Sequence, residues 1–338
     1  MKVEFLAKSF NGKEMITEEE KNYCEQIIYE LVKDLSKEMN ISNLEAIIIP
    51  DNYKKELFKF QKSRGLSEWC TDDDIGSGMG QTINRISNGK GIQTIFLRKE
   101  LIAVLEHYKA LLDIKKNEDE GLLELNEDED LLEITVNAMN VLHHELSHVH
   151  EMNITENIKW TNNLNFDDNL LNYRCRELAM IIWREYYACR FSSETHKITS
   201  SDTDYIIKLS NKIETEILSQ KEKYNLKKIE LNDFDIMFHK NISVLLKLSA
   251  SAHGNYFFLT SKNKRDENIS RVWEGLKGTL FQNQWIQLGV ILDRLFSQYP
   301  NWDTIDILDD LCNLTITYMQ KFNIYIDNTP EGLYYRIM

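Results

Sequence analysis

The residues that invite chemistry first are His144, Glu145 and His148, which form an HExxH sequence in the run VLHHELSHVHE, Val141–Glu151. On a helix, residues four apart sit one turn above each other on the same face, so two imidazoles can meet one metal ion. Glu145 flanks them closely enough to take a proton from a water that the ion holds. Four of the chain's eight histidines fall within His143–His150. The spacing is one in which zinc is bound for hydrolysis.

Two histidines leave such a site one protein ligand short, because a catalytic zinc takes three and keeps a position open for water or substrate. Extension to HExxHxxGxxH would need a glycine at position 151 and a histidine at 154, where the chain has Glu151 and Ile154. That option fails. Nearby carboxylates are Glu151, Asp167 and Asp168, although Glu151 lies only three residues past His148 on the same strip of helix. A further source is Glu185, in Trp183-Arg184-Glu185-Tyr186-Tyr187-Ala188, on the next helical pattern. A helix packed antiparallel to the first would bring it level with the two histidines, and Ala188 offers a small side chain on roughly the same face. Glu177, two turns earlier, is the fallback.

In His144, Glu145, His148, Glu185 and Ala188 the chain resembles the gluzincin-type zincin metallopeptidases, in which a second helix supplies a glutamate in a Glu-x-x-Ala context. The likeness spans roughly residues 40–195. It implies Zn2+ held by His144, His148 and Glu185, with Glu145 as general base, acting on a peptide or protein. It also implies an α+β peptidase domain: a short twisted sheet, the HExxH helix beneath it and the third-ligand helix behind. Gly91–Arg98 would be the strand nearest the cleft, with a free edge for an extended peptide. An oxyanion donor is expected from Tyr173, Tyr186, Tyr187, His253 or Tyr256. His143 and His150 point to other faces of the helix and are expected to play supporting or solvent-facing roles.

Other readings of the same residues are a catalytically silent zincin-like binding or regulatory module, a hydrolase acting on something other than a peptide, and a protease restricted to one regulatory target. Two histidines and a carboxylate also suit non-haem Fe(II).

The elements that must position these residues are legible from periodicity. Residues 2–6 read as a strand. A helix begins after Thr17, with three acids in its first turn and Tyr23, Ile27, Leu31 and Leu35 at helical spacing. Leu44–Pro50 reads as a buried strand, followed by a short helix near 52–63. Gln81–Ile86 and Gly91–Arg98 read as strands joined by an Asn88-Gly89 turn. Further helices are expected at about 99–115, at Leu131–Met152, which carries HExxH, and at Leu170–Ser193. The segment 196–204, HKITSSDTD, reads as a linker. Beyond it come helical patterns at 203–224, 231–251, 268–298 and 303–321, with no strand of comparable strength. With these elements, the resemblance implies a zincin-like α+β domain over 1–198, and the patterns beyond it an all-helical domain over 199–338.

Two polar stretches invite ligands less strongly. Thr71–Gly80, TDDDIGSGMG, has neither phosphate-loop nor EF-hand spacing and reads as a turn. The run 117–130 carries eight acids and reads as a solvated loop or an acidic lip selecting basic substrates.

With 338 residues, 42% apolar and 28% charged, the composition is that of a globular protein. A net charge of −14 repels phosphate backbones and anionic membranes, so neither nucleic acid nor a membrane is an expected partner. No apolar run is long enough to cross a bilayer. The start MKVEFLAKSF lacks a signal-peptide core, and five scattered cysteines never take CxxC spacing; a reduced, cytoplasmic protein is expected. Oligomeric state is not readable from these features.

Overall fold

Thr17 caps the first long helix, α1 (Glu18–Leu35), with a reciprocal capping box: its side chain accepts from the Glu20 amide, and the Glu20 carboxylate accepts from the Thr17 amide. This satisfies two backbone donors that would otherwise be orphaned at a helix start. The buried stripe of α1 is Cys24, Ile27, Ile28, Leu31 and Val32, whereas Tyr23 stands 48% exposed. The expected stripe is thus rotated by about one residue.

The computed structural model describes residues 1–9, 15–68, 70, 79–102, 104–105, 129–159, 170–195, 200–258 and 262–338. Most of Thr71–Gly80, most of the acidic run 117–130, and Asp167 and Asp168 lie outside these. The helix expected at 99–115 is described only through 105. The chain divides into two units: 1–156 with 194–197, and 157–193 with 198–338. These bounds differ from the expected 1–198 and 199–338.

In the first unit, β1 (Lys2–Phe5), β2 (Leu44–Ile49), β3 (Gly80–Ser87) and β4 (Lys90–Leu97) form one sheet in the order β1-β2-β4-β3. β1 and β4 run parallel to β2, and β3 pairs antiparallel with β4. Asn88 and Gly89 take φ of 52° and 76°, the left-handed pair that a tight two-residue hairpin demands. The expected cleft strand needs correction. β4 is flanked on both sides, and among the described residues the edge strands are β1 and β3.

Apart from exposed Glu45, β2 is apolar because both faces of the sheet are covered. Ile47 and Ile49 join Ile95 and Leu97 against α1 and a long helix, α3 (Glu129–Thr155). Ala46 and Ile48 join Ile83 and Phe96 against Tyr53 and Leu57 of α2 (Tyr53–Ser63), which Asn52 caps.

In the second unit, α4 (Leu170–Phe191) packs chiefly on α6 (Leu231–Asn255), which also meets α5 (Ser200–Asn225). α7 (Lys262–Gly275), α8 (Gln282–Gln298) and α9 (Asp309–Lys321) follow. The pattern expected over 268–298 is two helices, separated by a turn at Gly278, whose φ of +88° suits only glycine. The expected linker overlaps α5, which begins at Ser200. The unit is not all-helical either. Its C-terminus is an antiparallel hairpin, β5 (Ile324–Thr329) with β6 (Gly332–Ile337), turning through Pro330 and Glu331. Among the described residues, no helix is long and apolar enough to cross a membrane.

The hairpin is tied down by Asp235 of α6. Its carboxylate accepts from Tyr335 of β6, from His239 at 3.0 Å and from Arg174 at 3.1 Å. Burial pushes this carboxyl up, but the hydrogen bonds from His239 and Tyr335 outweigh it and hold it at about 2 against an ordinary 3.8. A depressed folded-state value contributes stability above the unfolded value, and that stability is lost as pH falls through the folded one. Allowing for solvent screening, Asp235 is expected to contribute about 1–2 kcal/mol at pH 5, lost between about pH 4 and 2. Denaturant midpoints of Asp235→Asn and the parent should therefore differ at pH 5 and converge near pH 2.

Candidate metal centre

Leu142, Leu146 and Val149 of α3 are fully buried in the first unit's core, which fixes the rotation of the helix about its axis. At about 100° per residue, His144 and His148 then point to the opposite side, with Glu145 between the two faces. The His144 and His148 Nε2 atoms lie 3.0 Å apart, with the rings at 89° to each other. Two imidazole nitrogens this close share either one proton or one cation. A tetrahedral zinc with bonds of about 2.0–2.1 Å separates two nitrogens by about 3.3 Å, so the pair fits with little adjustment. Two imidazoles presented in this way suit zinc.

Glu145 is only 6% exposed. Its Oε2 accepts a 2.6 Å hydrogen bond from the Thr82 hydroxyl of β3, and Thr82 Oγ1 also lies 3.2 Å from the Glu145 carbonyl oxygen. A Cβ on Gly80 would come within 2.9 Å of Glu145 Cγ, so glycine leaves the room this side chain occupies. Neither contact was legible beforehand, because Thr82 is 63 residues away in sequence and nothing in its neighbourhood singles it out.

Glu185 sits on α4 next to buried Trp183, Tyr186 and Ala188. Its Oε1 pairs with Lys247 of α6 at 3.0 Å. Arg190 bonds Asp293 at 2.8 Å, its guanidinium 3.5 and 3.7 Å from the ring centroids of Phe257 and Phe296. Lys247 is a functional candidate that sequence reasoning missed, since its link to Glu185 exists only through the α4–α6 packing.

The other expected ligands have different surroundings. Glu151 is fully buried in α3, and Glu177 is exposed and hydrogen-bonded to Tyr173, whose hydroxyl pKa it raises. His143 and His150 are buried, which corrects a solvent-facing role. His143 Nδ1 lies 3.1 Å from Thr195 Oγ1, which Asn140 also contacts, and His150 Nδ1 accepts from the Asn40 amide at 2.7 Å. Burial lowers both pKa values, that of His143 to about 4, so both rings stay neutral near pH 7.

The expected oxyanion donors are engaged in the second unit's own packing. Tyr186 donates to Asp293 at 2.7 Å, and Tyr187 is packed among Trp183, Phe191, Phe296 and Tyr299. His253 stacks on Trp285 at 3.9 Å and donates from Nε2 to the Trp285 carbonyl at 3.1 Å. Burial lowers it to about 4, so it too is neutral. Tyr256 is fully buried at the end of α6. Thiolate chemistry finds no support at Cys175 or Cys312, which burial pushes up to about 11 and about 12.

No family model matches the chain, and neither does any curated protein or solved structure.

Proposed function

We propose that this chain is a zinc-dependent peptidase that hydrolyses peptide bonds in a peptide or protein substrate. The observation that carries the reading is the His144–His148 pair, its Nε2 atoms 3.0 Å apart, with the buried carboxylate of Glu145 on the same helix. His144 and His148, with Glu185 as third ligand, would hold Zn2+, which when bound acidifies water and polarises a carbonyl. Glu145, with Oε2 held by Thr82, would accept the proton of an attacking water and pass it to the leaving nitrogen. Lys247 pairs with Glu185 at 3.0 Å and orients that carboxylate.

The test is metal content. Protein purified without added metal is expected to carry about one zinc per chain, and His148→Ala to bind zinc more than about 100-fold more weakly, since even residues that only support ligands cost 10–100-fold. The same donor set accommodates Fe(II), so stoichiometric iron with little zinc would overturn the zinc assignment. A chain that binds neither would overturn the metal centre itself.

A further inference from the structure

We propose that Thr82 is a positioning residue for Glu145: strand β3 sets the orientation of the carboxylate that the HExxH helix presents. The inference rests on reading Glu145 as the general base and adds to it the group that holds it. A buried carboxylate with one oxygen bonded at 2.6 Å can no longer rotate freely about its terminal bond, which fixes where the other oxygen points. Gly80 and Thr82 are two residues apart on one strand, so they present to the same face of the sheet. Their register against Leu97 and Ile95 of β4 fixes how far each reaches toward α3. Thr82 supplies the donor, and Gly80 the gap, in which a Cβ would lie 2.9 Å from Glu145 Cγ and 3.2 Å from Oε1. The slot is therefore shaped by two independent features of the same strand.

The experiment compares full-length, zinc-loaded Thr82→Val, Thr82→Ser and Gly80→Ala with the parent, using denatured casein as substrate. Thr82→Val is expected to lower kcat by about 10- to 100-fold, the penalty for a misplaced reacting group. KM and zinc per chain should stay within about twofold. Thr82→Ser, which keeps the hydroxyl, should recover kcat to within about threefold, and Gly80→Ala should reproduce the loss by pushing Glu145 out of its slot. A second readout needs neither metal nor turnover: the carboxylate 13C resonance of Glu145 in metal-free protein, assigned by its disappearance in Glu145→Gln. It should move in Thr82→Val and stay in Thr82→Ser. With an active parent, an unchanged kcat and an unmoved resonance in Thr82→Val overturn the role of Thr82 alone. A zinc-loaded parent that leaves casein intact overturns the reading of Glu145 as a base, and the role of Thr82 with it.

Discussion

Glu145→Gln is expected to lower hydrolysis by roughly 10²- to 10⁴-fold, the usual contribution of a general base, while zinc remains at about one per chain. Glutamine matches the shape of glutamate and still offers an oxygen to the Thr82 hydroxyl, so the slot between β3 and α3 stays filled. It cannot take a proton. The proposed ligands His144, His148 and Glu185 are untouched, which separates loss of the base from loss of the ion. New amino termini released from denatured casein, read beside zinc content on the same preparation, check both halves. Unchanged turnover would remove Glu145 from the chemistry, and lost zinc would make it a structural support for the ligands.

The second large effect is expected at Gly254. A Cβ there would lie 2.6 Å from the Tyr186 carbonyl oxygen, 2.8 Å from Cys189 Cβ and 2.9 Å from the Arg190 amide. Two of these three atoms are backbone of α4, so no side chain can turn aside; the α4 and α6 backbones must part. Gly254→Ala gains about 1 kcal/mol of helix propensity, and the clash more than cancels it. Gly254→Val should cost about 3 kcal/mol or more, at the upper end for overpacking, and lower the melting temperature by about 6–12 °C for a unit of this size. Val290→Ala, at a residue 65% exposed on α8, should stay within about 0.5 kcal/mol and serves as the control. Because α4 also carries Glu185, a folded Gly254→Ala should bind zinc more weakly than the parent.

Much of the first unit was readable because its signals are local. Thr17 with Glu20 gives a helix start, Asn88-Gly89 a hairpin, and the AIII run of β2 a strand covered on both faces. HExxH spacing suffices to place His144 and His148 together, given a helix. The C-terminal hairpin escaped notice because Asp327, Asn328 and Arg336 interrupt its β-formers, and its stability draws on Asp235, a hundred residues earlier. The polar run after His196 looked like a linker, yet Thr203, Ile206, Leu209, Ile213 and Ile217 are buried at helical spacing and carry α5 back to Ser200. Thr82 and Lys247 were invisible for a different reason. Each acts through a partner brought near by folding alone, and a lone threonine or lysine has no spacing to read.

The backbone leaves the first unit at 156, returns to it for 194–197, where Thr195 meets Asn140 and His143, and departs again at 198. Three crossings mean that no single proteolytic nick can release either half intact. A fragment ending near 198 would contain every proposed ligand and yet strand Trp183, Tyr186 and Tyr187 in water, stripped of Phe296, Tyr299 and Trp302. The minimal soluble form of this protein is therefore expected to be close to the entire chain.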